Sequence, residues 1–99
     1  MPKRVDGNQP EIVKALRNVG ASVTHLHEIG RGVPDLLVGF RNQNFLIEVK
    51  DPDQPPNKRK LTEDEEEWHR TWNGQVAVIM SSVEAIDLIS YLTRHSRKR

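Results

Sequence analysis

Charged residues stand at the ends of two neighbouring apolar segments of the sequence. Asp35 directly precedes the run at residues 36–40, while Glu48 and Lys50 occupy the end of the run that starts at Phe45. A continuous apolar strand is typically buried on both faces, and an ionised group within it is costly unless something compensates its charge. These three charged residues are therefore candidates for chemistry.

The spacing of the two runs predicts that these charges meet. The polar stretch at residues 41–44 has hairpin length, so the runs are expected to pair as antiparallel strands with position 35 opposite positions 48 to 50. Glu48 and Lys50, two residues apart, then share a face. Two close carboxylates repel each other, and a hard divalent cation such as Mg²⁺ or Mn²⁺ relieves that repulsion. A lysine beside the cation can orient a water or stabilise charge on a phosphate oxygen, which suits phosphodiester hydrolysis.

Each part of this set also has a purely structural interpretation. An Asp that follows a proline is a common turn residue, and a Glu-x-Lys at a strand end is often a solvated cross-strand ion pair. Asp35 and the Glu48–Lys50 pair nevertheless occur together, at matching ends of consecutive apolar strands. Their joint occurrence favours the catalytic interpretation.

Two motifs carry a resemblance to a known group of enzymes. The segment G-V-P-D-L-L-V at residues 32–38, followed by F-L-I-E-V-K at residues 45–50, resembles the PD-(D/E)xK nuclease superfamily. An early helix with Glu11 and an L-T-x-x-x helix ending near Trp68 make the pattern similar to the virus-type replication-repair nuclease family, VRR-NUC, in its small stand-alone, phage-type form. The resemblance spans about residues 11–80.

This resemblance implies metal-dependent cleavage of DNA in replication, repair or recombination. Asp35 and Glu48 match the metal-binding acids of the family, the Val49 carbonyl a further ligand, and Lys50 the catalytic lysine. Glu11 matches a helical acid that many members add to the metal shell. Its alternative role is a first-turn acid favoured by the helix dipole.

One position departs from the family pattern. Members often carry a Gln within L-T-x-x-Q, and this chain has Glu65 there. Glu65 shares a helix face with Trp68 and Trp72, so it can point towards the active site as an accessory residue. Thr62-x-x-Glu65 is also the pattern of a capping box, in which the Glu bonds back to the main chain of the cap residue. Both interpretations remain open from the sequence.

Other polar and aromatic groups receive structural interpretations. Trp68 and Trp72 can stack on bases, but their spacing of four residues favours a core contact of their helix. His25, His27 and His69 lack a recognisable zinc-ligand pattern and are expected to be hydrogen-bonded or solvent-facing.

Basic residues lie next to the predicted site and indicate DNA as the partner. Lys58, Arg59 and Lys60 close a proline-rich loop after the second strand, and Arg31 lies in the Gly-Arg-Gly turn before the first. Such residues position a phosphate backbone without reading its sequence. Because no base-reading helix is evident, we expect a structure-selective endonuclease acting on branched DNA such as Holliday junctions. The alternatives are a flap, nicking or restriction-like nuclease, or a non-catalytic DNA-binding module.

The size of the chain bears on its assembly and surroundings. Its 99 residues predict a single nuclease domain over residues 1–99, with residues 1–8 and 94–99 as flexible basic ends. Symmetric cleavage of a four-way junction needs two sites, so a homodimer is expected.

The composition bears on the surroundings of the chain. The sequence has no cysteine and no apolar run near about 18 residues, so we expect no disulfide and no membrane span. A cytoplasmic protein of a bacterial or phage-infected cell, not a secreted one, is expected.

The elements that position these residues follow from periodicity and turn signals. The order α-β-β-β-α-β-α predicts an α/β fold, a restriction-endonuclease-like core with a mixed β-sheet flanked by helices. Ser82 is expected to cap the last helix, with Val83 among its inward-facing residues. The predicted segments are a helix at 9–19, strands at 21–26, 36–40 and 45–49, an exposed loop at 51–60, a helix at 61–72, a strand at 75–80 and a helix at 83–93.

The near balance of charge conceals a segregation. The chain has 15 Lys and Arg against 14 Asp and Glu, a net charge of +1. Acids are concentrated at residues 63–67 and at the predicted metal site, whereas basic residues are concentrated in the loops and at both ends. This distribution predicts a basic DNA-facing side around an acidic metal site.

Overall fold

The computed structural model describes residues 7–96 of the chain. Its elements in chain order are α1 (Gln9–Asn18), β1 (Ser22–His25), β2 (Leu36–Phe40), β3 (Gln43–Val49), a 3₁₀ turn (Pro56–Lys58), α2 (Glu63–Thr71), β4 (Ala77–Ile79) and α3 (Ser82–Ser96). This order confirms the predicted α/β class. Most of the two predicted flexible ends, residues 1–6 and 97–99, lies outside the described residues, while α3 continues through residues 94–96.

The four strands form one mixed sheet in the order β1-β2-β3-β4. β1, β2 and β3 are antiparallel neighbours, whereas β4 pairs parallel to β3 after the chain crosses over through α2. Leu36 lies opposite Ile47, and Glu48 opposite Val78. The mixed sheet flanked by helices is therefore confirmed. No helix in the described part of the chain is long and apolar enough to cross a membrane.

One face of the sheet packs against α1 and α3 and forms the core. Alternation along β2 distinguishes the buried face of the sheet from the exposed one, because Leu36 and Val38 are fully buried while Leu37 between them is exposed. Fully burying such an aliphatic side chain stabilises the fold by roughly 1.5–3 kcal/mol. The buried core consists of Ile12, Val13, Leu16, Ala21, Leu36, Val38, Phe45, Ile47, Val49, Ile79, Ala85 and Ile89.

The hairpin between β2 and β3 is tighter than predicted. Its two turn residues, Arg41 and Asn42, have φ values of 52° and 66°. A two-residue turn with positive φ at both positions matches the right-handed twist of its strands, and Asn tolerates that conformation well. Pairing therefore resumes at Gln43, opposite Phe40, two residues earlier than expected.

The last helix begins one residue earlier than predicted, and its inner face differs accordingly. Ser81, not Ser82, caps the helix, because its Oγ accepts a hydrogen bond of 3.1 Å from the Glu84 N–H. Val83, predicted to face inward, is 68% exposed, whereas Ala85 is fully buried. Because each helical residue advances by about 100°, a small error in placing the helix face moves a side chain from core to solvent.

Two further expectations about burial are wrong. Trp68 and Trp72 are not core residues: their rings stack with centroids 4.6 Å apart, and Trp72 is 43% exposed. The reason is that α2 turns Glu65, not its aromatic residues, towards the interior. The loop at 51–60 is not exposed throughout, because Asp51 is buried and its Oδ1 accepts a hydrogen bond from the Asp53 N–H at 2.9 Å.

Candidate active site

Two buried carboxylates meet where β2 begins and β3 ends. Asp35 directly precedes β2, and the register that places Leu36 opposite Ile47 places Asp35 opposite Glu48. Their side chains are only 2% and 1% exposed. Asp35 Oδ2 accepts a hydrogen bond of 2.7 Å from the Val49 N–H, which fixes the carboxylate against the end of β3. The hairpin thus brings together the two acids as its pattern predicted.

Lys50 lies beside Glu48 and is also buried. Its Nζ donates a hydrogen bond of 2.8 Å to Glu65 Oε1 and lies 3.7 Å from Glu48 Oε2. The Lys50 main chain is held as well, because its N–H donates to the Ile79 carbonyl of β4 at 3.0 Å. The ammonium group is therefore bound between an acid of the sheet and an acid of α2.

Glu65 forms the capping box and also contacts Lys50, while its accessory role in the active site stays a prediction. Its Oε1 accepts a hydrogen bond of 2.8 Å from the Thr62 N–H, and its own N–H donates to Thr62 Oγ1 at 3.2 Å, which completes a capping box. The same oxygen accepts the bond from Lys50. The cap therefore fixes the carboxylate that holds the lysine.

A close backbone contact sets the position of α2. Gly32 has a φ of 82°, and a Cβ atom at this residue would lie 2.2 Å from the Asp64 carbonyl oxygen. Only glycine fits this approach. Gly30 and Arg31 also have positive φ values, 72° and 56°. The Gly-Arg-Gly turn therefore packs directly on the first turn of α2 and fixes Glu65 relative to the strand that begins after Asp35.

Asn8 is a positioning residue that sequence reasoning missed. Its Nδ2 donates hydrogen bonds of 3.1 Å to the carbonyls of Lys50 and Met80, which follow β3 and β4. Position 8 belongs to the segment predicted to be flexible, yet here it ties the start of α1 to the site end of the sheet. From the sequence, an asparagine before a helix indicates only a helix cap. Asn8 in fact makes no side-chain cap hydrogen bond.

The net charge of the buried cluster indicates whether a metal ion would fit there. Asp35, Glu48 and Glu65 bring three formal negative charges when ionised, and Lys50 brings one positive charge, leaving an excess of two. Buried like charges raise the free energy of the fold unless a cation balances them. Carboxylate and carbonyl oxygens are the ligands that hard divalent cations prefer. Asp35 and Glu48, together with a main-chain carbonyl at the end of β3, therefore offer oxygen ligands that fit such a cation, without a third carboxylate.

The remaining predicted site residues lie elsewhere on the surface. Glu11 is exposed on the first turn of α1, and no group of three or more His, Asp or Glu side chains within residues 7–96 could hold a metal. The structure thus does not bring Glu11 to Asp35 and Glu48, and its ligand role stays a prediction. Arg31, Lys58 and Lys60 are exposed and Arg59 is half-buried, so their role in DNA binding also stays a prediction.

Comparison with known proteins places the chain in a family. No family model and no curated protein matches it. A solved structure described as a VRR_NUC domain is 31% identical, with a TM-score of 0.55, and the match covers 84% of this chain and 90% of that one. Identity and coverage of this extent, together with the shared fold, show that the chain belongs to the VRR_NUC family.

Proposed function

We propose that this chain is a metal-dependent, structure-selective endonuclease that hydrolyses phosphodiester bonds of branched DNA. Membership of the VRR_NUC family supports the nuclease activity. The observation that carries the proposal is the buried cluster of three carboxylates and one lysine at the end of β3. Such a cluster is costly for a structural role, since apolar side chains of similar volume would pack there without charge repulsion.

Asp35, Glu48 and the Val49 carbonyl would hold Mg²⁺ or Mn²⁺. The Val49 N–H faces Asp35, and the N–H and C=O of a strand residue face the same neighbour, so its carbonyl is directed to the same side. When bound there, the cation supplies positive charge that neutralises the scissile phosphate and lowers the pKa of a water. Two carboxylates and a carbonyl leave room for the waters that Mg²⁺ retains.

Lys50 would act at the reacting phosphate. Its ammonium group lies between Glu48 and Glu65, and from there it can donate to a water or to a phosphate oxygen that gains charge. Water adds to phosphorus and releases one proton to solvent, one bridging P–O bond breaks, and the leaving oxygen takes up one proton from solvent. Glu65 would be a positioning residue, because it acts through Lys50.

The DNA would lie across the segments on either side of this cluster. Arg31, Lys58, Arg59 and Lys60 would contact phosphates, which positions DNA without reading its sequence. A four-way Holliday junction has two equivalent strands to cut. Cleavage at both would require a homodimer that presents two copies of the site. Sedimentation at micromolar concentration should then give twice the mass of the chain, and a monomer in the presence of junction DNA would contradict the dimer.

Cleavage assays on a panel of DNA structures test the proposal. Linear duplex, flap and four-way junction DNA are incubated with Mg²⁺ or with EDTA, using the wild type and Lys50→Met, which keeps the length of the side chain. Loss of one preorganised donor should lower the rate by about 10²-fold or more. Arg70→Gln is the control, because that cation bonds Glu67 on the surface of α2.

The outcomes separate the alternatives. Metal-dependent cleavage of the junction in preference to duplex, lost in a folded Lys50→Met protein, supports the proposal. Cleavage in EDTA, or equal rates for Lys50→Met and Arg70→Gln, would contradict it. Binding of DNA without cleavage of any substrate would instead support a non-catalytic module.

A further inference from the structure

A pocket with several polar side chains in its lining lies between α1 and the edge strand β1. This α1–β1 pocket has a volume of about 490 Å³, within the usual range of small-molecule sites. Pro10 and Val13 of α1 provide an apolar wall, and His25 and His27 also line the pocket. The pocket is independent of the acidic cluster, because His25 shares the face of Leu36, and Glu48 points to the other face of the sheet.

Buried polar atoms in this pocket lack partners. Gln9 is 1% exposed, and its Oε1 has no hydrogen-bond partner within residues 7–96. Its Nε2 lies 3.4 Å from His25 Nδ1, within reach of a hydrogen bond when that ring nitrogen is the acceptor. His27 Nδ1 is likewise buried without a partner in the described chain. An unsatisfied buried acceptor is destabilising, and a ligand that donates an N–H would relieve that cost.

The charge of the pocket favours an anionic ligand. Lys14 and Arg17 lie one turn apart along α1 and both line the pocket. Arg17 is held by a hydrogen bond of 3.2 Å from its Nη2 to the Val23 carbonyl, which leaves its other N–H groups available. The described residues that line the pocket include no carboxylate. Two cations next to an apolar wall suit a phosphate attached to a flat ring.

We propose that the α1–β1 pocket binds one nucleotide whose base carries an amino group. The base lies against Pro10 and Val13 and donates its amino N–H to Gln9 Oε1, and the phosphate contacts Lys14 and Arg17. Adenine, cytosine and guanine have such an amino group, and thymine does not. The preference therefore follows from a single orphan acceptor.

The nucleotide has two possible sources, a free nucleotide or an unpaired residue of DNA. The pocket and the acidic cluster lie at the same end of the sheet, since the Leu26 N–H, just before His27, donates to the Asp35 carbonyl at 2.7 Å. β1 is the edge of the sheet, so a single strand can pass around it from one site to the other. The DNA source rests on the proposed function, whereas nucleotide binding itself does not.

Binding measured without turnover tests the proposal. Amide NMR spectra of the protein in EDTA are titrated with adenosine monophosphate, thymidine monophosphate and inorganic phosphate. Adenosine monophosphate should shift the signals of α1 and β1, with thymidine monophosphate binding about tenfold more weakly, as one lost hydrogen bond predicts. Inorganic phosphate that shifts the same signals as strongly as adenosine monophosphate would overturn the proposal.

Two variants distinguish the contribution of the base to binding from that of the phosphate. Lys14→Gln should weaken the binding of both nucleotides by roughly tenfold, because it removes one charge-assisted hydrogen bond. The distant Arg70→Gln should leave the binding of both nucleotides unchanged. Gln9→Met keeps the size of the side chain and removes the acceptor, so it should abolish the preference for adenosine over thymidine monophosphate. A preference retained in folded Gln9→Met, or binding unchanged in Lys14→Gln, would overturn the assignment.

Competition identifies the source. A duplex with one unpaired adenine should displace adenosine monophosphate in EDTA, whereas the same duplex with that adenine paired should not. Displacement by neither would overturn the DNA source. Because every measurement is made without metal or cleavage, an inactive nuclease that still binds nucleotides would contradict the proposed function alone.

Discussion

The acidic cluster and the α1–β1 pocket lie at the same end of the sheet but differ in how the hydrogen-bonding groups of their side chains are satisfied. In the acidic cluster, Lys50 is bonded to Glu65, and Asp35 to the main chain of Val49. In the α1–β1 pocket, by contrast, Gln9 Oε1 has no partner within the described residues. The first site is organised by the protein itself, and the second leaves an acceptor for a ligand.

The two sites differ in how much each one lowers the stability of the fold. The acidic cluster concentrates negative charge in its interior, which raises the free energy of the fold; under the proposed function, the same oxygens and ammonium would meet the charge that develops during reaction. The pocket has only the smaller cost of unpaired polar atoms. Substitutions should therefore separate function from stability more strongly in the cluster than in the pocket.

Glu48→Gln should show the largest contrast between its effect on cleavage and its effect on stability. The variant keeps the shape of the side chain but removes one of the like charges, so cleavage should fall by about 10²-fold or more. Without metal, thermal unfolding should occur at a higher temperature, by roughly 4–8 °C for each 1 kcal/mol of repulsion removed in a domain of this size. Glu67→Gln is the control, because that acid is exposed and bonds Arg70 on the surface. A Glu48→Gln protein with a lower melting temperature in EDTA would contradict the account of buried repulsion.

Gly32→Ala should disrupt the support of the cluster. A Cβ at this position meets the Asp64 carbonyl, and the φ of 82° disfavours any side chain, so we expect a loss of about 3 kcal/mol in the free energy of unfolding. Gly39→Ala is the matched control, since its Cβ would lie 3.8 Å from Ser22 Cβ, an ordinary contact. Urea unfolding measures both variants. Equal losses would show that the approach of Gly32 to α2 does not constrain the fold.

Glu65→Gln and Thr62→Ala should divide the two roles of the helix cap. Glu65→Gln keeps an acceptor for the Thr62 N–H but loses the charge that holds Lys50, so kcat should fall about tenfold with little change in KM. Thr62→Ala removes the cap hydroxyl and should cost about 1 kcal/mol of stability with a smaller effect on kcat. An unchanged kcat in Glu65→Gln would leave Glu65 with the capping role alone.

The acidic cluster could be predicted because it depends on local pattern. Two apolar runs joined by a short polar turn determine a hairpin register, and that register places Asp35 opposite Glu48, two residues before Lys50. The class of fold follows from the same alternation of elements. Glu65 was found for a similar reason, since a capping box is a contact within four residues of sequence.

The contacts that support the cluster depend on distant segments and could not be predicted. The approach of Gly32 to α2 and the bonds from Asn8 to the ends of β3 and β4 exist only after the chain has folded. Gln9 shows the same limit, because a polar residue at the start of a helix is usually exposed. The aromatic residue Trp72 was misplaced because helical spacing identifies a face without saying what that face contacts.

Glu11→Gln should have the smallest effect and therefore gives the sharpest contrast with Glu48→Gln. The family resemblance implies that Glu11 is a metal ligand, but its side chain is exposed on α1 and is not grouped with Asp35 and Glu48. An exposed acid outside the cluster should change the cleavage rate by no more than about twofold, and stability within about 0.5 kcal/mol. The apparent affinity for Mg²⁺, measured from the dependence of the rate on its concentration, should also be unchanged. If Glu11→Gln instead lowers that affinity as much as Glu48→Gln does, then α1 must move towards the cluster when metal and DNA bind, and the ligand set would include a third carboxylate.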